Sequence, residues 1–83
     1  MNYVTVTRKD NTGATYAERW VQNGTDWHCV RSFENGAWVD DPDYAPIPDS
    51  AMQSYAKCFN TAEWSEDLTL IRNTDTVIVW DGE

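Results

Sequence analysis

Two asparagine–glycine pairs, Asn23-Gly24 and Asn35-Gly36, stand twelve residues apart in the first half of the chain. Asn-Gly is the strongest short-range hairpin signal, because both central residues of a type I′ turn take positive φ. The segments around these pairs are rich in β-branched and aromatic residues: Tyr3 to Arg8, Thr15 to Gln22, Asp26 to Phe33 and Ala37 to Asp40. A further break, Asp10-Asn11-Thr12-Gly13, separates the first two. The front of the chain therefore reads as a four-strand antiparallel meander.

Turn positions also set a register. With Asn23-Gly24 as a two-residue turn, Gln22 faces Thr25, Trp20 faces Trp27, Glu18 faces Cys29 and Tyr16 faces Arg31. With Asn35-Gly36 as the next turn, Phe33 faces Trp38 and Arg31 faces Asp40. Side chains alternate between the two faces of a strand. One face is then expected to carry Tyr16, Trp20, Trp27, Cys29, Phe33 and Trp38, with Glu18, Arg31 and Asp40 towards one end. The other carries Ala17, Arg19, Val21, His28, Val30, Ser32, Ala37 and Val39. If the first loop holds four residues, Val4 and Val6 join this lighter face and Tyr3 joins the aromatic one.

Residues 40–49 follow, with Pro42, Pro46 and Pro48 among four aspartates. Proline lacks the amide hydrogen that a central strand or helix needs, and it favours extended backbone before it. The segment reads as a stiff, extended surface loop. A helix should come next. Ser50 and Gln53 have capping-box spacing, and Met52, Tyr55, Ala56 and Phe59 form an apolar stripe at i, i+3, i+4 and i+7. Asn60 is its expected end, and Asp49 suits the positive end of the helix dipole. Residues 61–67 read either as a helical extension or as a separate turn. Leu68 to Arg72 and Thr76 to Trp80 read as a second hairpin, apolar on both faces and so interior to the sheet. The expected fold is α+β: one domain over residues 1–83, an antiparallel sheet of about six strands, and one helix packed on one face.

A chain of 83 residues buries a smaller share of its surface than a larger protein, so its core must be dense. Five tryptophans suit that need. Charge is divided unevenly. Residues 1–31 hold four bases against three acids, a net of +1; residues 32–83 hold two bases against eleven acids, a net of −9. An acidic half of this kind repels nucleic acid and anionic membrane and attracts basic protein surfaces. The opening MNYVTVTRKD lacks the apolar stretch of a secretion signal, and a cytoplasmic location is expected. Two cysteines, Cys29 and Cys58, are too few for a disulfide scaffold and read as reduced thiols.

The usual catalytic constellations are missing. His28 is the single histidine, and its neighbour Cys29 should point to the opposite face of the strand. A nucleophile and its base need contact within about 3 Å, so no dyad is expected. Asp40, Asp41 and Asp43 are oxygen ligands for a hard cation, but they lack the glycine and glutamate spacing of a calcium loop. No phosphate-cradling glycine loop is present. We expect no enzymatic activity, no metal and no cofactor.

Two features point to binding. Trp20, Trp27, Phe33 and Trp38 either form the core under Met52, Tyr55 and Phe59 or stay partly open. An open version gives an alternative function: a small-ligand module, most naturally sugar-binding, through exposed Trp20, Trp27 and Trp38. The other feature is acidic. Asp40, Asp41, Asp43, Asp49, Glu63, Glu66 and Asp67 give seven acids in 28 residues, opposed by Lys57. Carboxylates on a stiff loop imitate a line of phosphates and suit a basic cleft that binds nucleic acid. Tyr44 and Trp64, with Trp80 as a further candidate, are the natural aromatic anchors. The expected partner is the basic surface of another protein, one that handles nucleic acid, with no direct contact to nucleic acid or membrane. In size, charge and lack of catalytic groups the chain resembles compact acidic inhibitors of phages and mobile elements, the anti-CRISPR and anti-restriction proteins, and also nuclease immunity proteins. The resemblance implies a stoichiometric inhibitor or DNA mimic and assigns no residue roles.

Overall fold

The computed structural model describes residues 2–9 and 11–66. Over these residues the chain forms β1 (Tyr3–Lys9), β2 (Thr15–Asn23), β3 (Asp26–Glu34), β4 (Ala37–Asp40), β5 (Ile47–Pro48), α1 (Asp49–Ala56) and β6 (Thr61–Ser65). The six strands make one antiparallel sheet in the order β4-β3-β2-β1-β6, with β5 added beside β3. The helix packs on one face. The fold is α+β, and its first four strands are the meander that the turns predict. The expected hairpin at 68–80, with Trp80, lies outside the described residues, as does Asp67.

The second asparagine–glycine turn forms as predicted. Asn35 and Gly36 both have positive φ, 54° and 80°, and Phe33 faces Trp38 while Arg31 faces Asp40. The first does not. Asn23 pairs with Asp26, so Gly24 and Thr25 are the turn residues. Gly24 alone takes positive φ, 67°, the pattern of a type II′ turn with glycine first. Trp20 consequently faces Cys29, and Trp27 faces Gln22.

A bulge then changes the faces. The register shifts between Arg19 and Trp20, so that Trp20 pairs with Cys29 but Arg19 pairs with Arg31. Val30 is the extra residue on β3. One added residue reverses the alternation beyond it. Trp20, Trp27 and Cys29 therefore stay together, whereas Arg31, Phe33 and Trp38 pass to the opposite face with Ala17 and Arg19. The single aromatic face expected from the sequence is two clusters, one of Val4, Val6, Trp20, Trp27, Cys29, Met52 and Ala56, the other of Ala17 and Phe33 with Trp38 against them.

The first loop also has one more residue than expected. Lys9 pairs with Thr15, leaving five residues between, and Val4 faces Trp20. This one-residue difference puts Val4 and Val6 under the helix rather than on the lighter face.

Helix α1 begins at Asp49, one residue before the predicted capping box, and Ser50 makes no cap. The Asp49 amide donates instead to Thr25 O at 2.8 Å, in the β2–β3 turn. Met52 and Ala56 are buried, and Tyr55 and Phe59 pack beside them, so the apolar stripe acts as predicted. The helix stops at Ala56 rather than Asn60. Its exit tightens through Cys58 N–H to Tyr55 O and Phe59 N–H to Ala56 O, the i→i+3 pattern of a closing turn. Asn60 is taken up by β1: its amide donates to Thr7 O at 2.9 Å and its Oδ1 accepts from Lys9 N–H at 2.9 Å. That clasp starts β6, which makes 61–65 a strand rather than the helix or turn expected.

Candidate functional site

The acidic segment is fastened along the outer edge of β3. Asp41 N–H donates to Val30 O, the carbonyl of the bulged residue, at 2.9 Å. Tyr44 N–H donates to Pro42 O at 2.9 Å, closing a three-residue turn around Asp43. Ile47 and Pro48 then pair with Trp27 and Asp26. The loop is pinned at both ends and braced by its prolines, although it turns at Asp43 rather than running straight. Asp41 takes φ 50°, a left-handed conformation that aspartate tolerates better than most residues. Asp41 and Asp43 are exposed.

Two of the predicted carboxylates are occupied by the protein itself. Asp40 forms an ion pair with Arg31 Nε at 2.7 Å, although its side chain is 76% exposed. Asp49 Oδ1 accepts from Trp27 Nε1 at 2.9 Å and from Gln22 Nε2 at 3.3 Å. Tyr44 is half-buried, with its ring beside Trp20 and its hydroxyl donating to Glu34 at 2.7 Å. That hydrogen bond to a carboxylate raises the Tyr44 pKa.

The remaining site residues lie elsewhere. β4 and β6 are separated in the sheet by β3, β2 and β1, so the Asp40–Asp43 group and the Glu63–Glu66 group do not form one ridge. Within β6, Trp64 pairs with Val4 and shares the helix face, while Glu63 pairs with Thr5 on the opposite face. The structure thus divides the predicted row. Asp40, Asp41 and Asp43 cluster at one edge, and Asp49, Trp64 and Glu66 surround a groove near the other.

That groove has a volume of about 480 Å³ and runs between the start of α1 and β6. Trp27 and Trp64 meet edge to face at 5.5 Å on its wall, with Met52 behind them. Trp64 is 47% exposed, and Trp27 only 3%. A chain of hydrogen bonds runs along the rim: Asn2 Nδ2 donates to Gln22 Oε1 at 2.7 Å, and Gln22 donates on to Asp49. Sequence reading did not assign Asn2, Gln22 or Trp27 to this site. Each comes from a different strand or terminus, and only the β2–β3 register brings Gln22 opposite Trp27.

The sugar-binding alternative needed Trp20, Trp27 and Trp38 in the open. Trp20 is 2% exposed and Trp27 is 3% exposed, both inside the core. Trp38 lies beneath two guanidinium groups, Arg19 at 4.6 Å and Arg31 at 4.9 Å from its ring centre. Trp20 and Trp27 are buried against the helix, as the sequence also allowed, and Trp38 is half-buried against Phe33 on the opposite face.

Cys29 and His28 point to opposite faces, as strand alternation requires. Cys29 is buried, its Sγ donating to Arg31 O at 3.3 Å, and burial pushes its pKa up to about 12. A thiol so held is a poor nucleophile. Cys58 is exposed on the helix exit, and neither cysteine is bonded to the other. Glu18 accepts from Tyr55 Oη at 2.5 Å and from Trp20 Nε1 at 3.1 Å, a network that ties β2 to the helix. Desolvation, followed by this hydrogen bond, raises the Tyr55 pKa. Among the described residues no group of three histidine, cysteine or acidic side chains is placed to hold a metal ion. Among the same residues no helix is long and apolar enough to cross a membrane.

No protein family, curated protein or solved structure matches this chain.

Proposed function

We propose that this protein acts by binding, without catalysis, and that it occupies a basic site on another protein, most naturally one built to hold nucleic acid. The supporting observation is the pair of exposed carboxylates, Asp41 and Asp43, on a loop whose backbone is hydrogen-bonded to β3 at both ends. Pinned charges lose little conformational freedom on docking, so more of their attraction is kept as affinity. Among the described bases, Arg8, Arg19 and Arg31 lie over aromatic rings, and Arg31 also pairs with Asp40. A net charge of −8 would steer the protein towards such a site from a distance.

The test is capture of a basic partner from lysate at low and at high salt, followed by charge substitution in the loop. Surface charges are screened beyond about 8–10 Å at physiological ionic strength, so capture should weaken as salt rises. Asp41→Asn, which the left-handed backbone tolerates, with Asp43→Lys should abolish capture and leave the fold unchanged. Undiminished capture by that double variant refutes the proposal.

A further inference from the structure

We infer that the groove between the start of α1 and β6 is a receptor for an arginine side chain of the partner. The inference rests on the proposed binding of a basic partner and names a specific contact within it.

The walls and the charge of the groove select the occupant. Its described lining includes the carboxylates of Asp49 and Glu66 and no lysine, arginine or histidine. Among the described residues, the hydrogen bonds that Asp49 accepts fall on Oδ1, leaving Oδ2 as the atom for a ligand. The carboxylate is held in place by Trp27 and by the Asn2–Gln22 chain, so it need not be ordered on binding. Two full negative charges outweigh the partial positive charge at the start of α1. The apolar part is Trp64, propped edge to face against buried Trp27 and half-open to solvent.

A cation that is also flat fits this combination. Guanidinium stacks on an indole face and offers paired N–H groups to a carboxylate, whereas an ammonium is a compact and strongly hydrated point charge. A neutral sugar or a free aromatic would leave the carboxylates without a counter-charge. The volume of about 480 Å³ exceeds one side chain, which leaves room for the backbone that carries it. At the β4 edge, by contrast, Asp41 and Asp43 stand exposed on a pinned loop. The two acidic groups would thus divide the work. The loop attracts a basic surface, and the groove recognises one residue of it.

The test uses the intact protein and three small probes: N-acetyl-arginine amide, N-acetyl-lysine amide and N-acetyl-citrulline amide. Citrulline keeps the shape of arginine and removes the charge. The indole N–H signals of Trp27 and Trp64 should shift saturably with the arginine probe, less with lysine and not with citrulline. Trp64→Ala should weaken arginine binding about tenfold. Glu66→Gln, an exposed change that leaves the packing alone, should weaken it about threefold. If Trp64→Ala fails to fold, Glu66→Gln decides. Equal shifts with citrulline, or arginine shifts that Glu66→Gln leaves unchanged, overturn the inference. The two proposals fail separately. If the loop double variant abolishes partner capture but arginine never reaches the groove, the binding reading stands and the groove assignment falls. If arginine fills the groove but no basic partner is captured at any salt, the reverse holds.

Discussion

The two faces of the sheet use the same residue types in different ways. On the helix side, Trp20 and Trp27 are buried among Val4, Val6, Met52 and Ala56, and their indole N–H groups donate to Glu18 and Asp49. On the other side, Phe33 and Trp38 meet edge to face at 5.2 Å, and two guanidinium groups lie over Trp38. The helix face packs its tryptophans against carboxylates and apolar side chains, with Arg8 over Tyr16 and Phe59, whereas the other face sets two arginines over Trp38. The division originates in one residue. Without Val30 as the extra residue of β3, Arg31 and Phe33 would continue on the face of Trp27 and Cys29. The bulge turns Arg31 away from the helix side and also supplies the carbonyl that anchors Asp41. Sheet irregularity and site placement are therefore one feature.

Inserting one alanine between Arg19 and Trp20, which would give Val30 a partner and make the ladder regular, is the severest way to break this contrast. It should drive Arg31 under the helix and abolish the dispersed amide spectrum of the folded state. A spectrum that stays dispersed, with Phe33 still close to Trp38, would show that the bulge is dispensable. Trp20→Ala should follow, with a loss of about 3–5 kcal/mol measured by denaturant unfolding, because a large buried ring leaves a cavity. Small domains have only about 5–15 kcal/mol in total. Trp38→Ala, on the arginine side, should cost less, about 1–2 kcal/mol, since cation–π contacts at partly open sites are modest. Equal losses for the two tryptophans would erase the distinction between the faces.

Smaller changes sharpen it. Asp49→Asn keeps the shape but weakens a charge-assisted bond to Trp27 and removes a favourable charge at the helix start; about 1–2 kcal/mol should be lost. Asp40→Asn breaks a mostly exposed ion pair and should change stability by less than about 1 kcal/mol. The cysteines should differ in reactivity with no change in stability at neutral pH. Cys58 should react readily with iodoacetamide, and Cys29 only after unfolding. Cys29 is raised from an ordinary value of 9.0 to about 12, so below pH 9 both folded and unfolded chains keep its proton. Between about 9 and about 12 the unfolded chain releases it and the folded one does not, so its contribution to stability is lost as pH rises through that window. Rapid labelling of Cys29 in the native protein at pH 8 would contradict its burial.

Much of the architecture could be read before any coordinates. The four strands of the meander, the Asn35-Gly36 turn and its Phe33–Trp38 pair, and the helix stripe at Met52, Tyr55, Ala56 and Phe59 all follow from local chemistry. Errors arose where one residue decides a face. The first loop has five residues instead of four, the Gly24 turn takes a different type, and Val30 is inserted into a ladder. None of these carries a local signal strong enough to fix register, because glycine and threonine fit several turns and valine suits any strand. The predicted acidic row is divided by the fold, which gives its members different neighbours. Asp40 is drawn to Arg31 by a contact between strands and Asp49 to Trp27 by one between helix and strand, and Glu63 and Trp64 part company because adjacent strand residues face opposite ways.

The sequence by itself determined that this chain is acidic, that it turns sharply at Asn35-Gly36, and that a proline-braced run of aspartates joins a sheet to a helix. Those properties depend on composition and on residues a few positions apart. Only the tertiary structure decided which tryptophans are buried, which carboxylates are already engaged, and that Asn2, Gln22, Trp27, Asp49, Trp64 and Glu66 border one groove. Pairing between distant strands carries that information, and a shift of a single residue in the pairing reverses it.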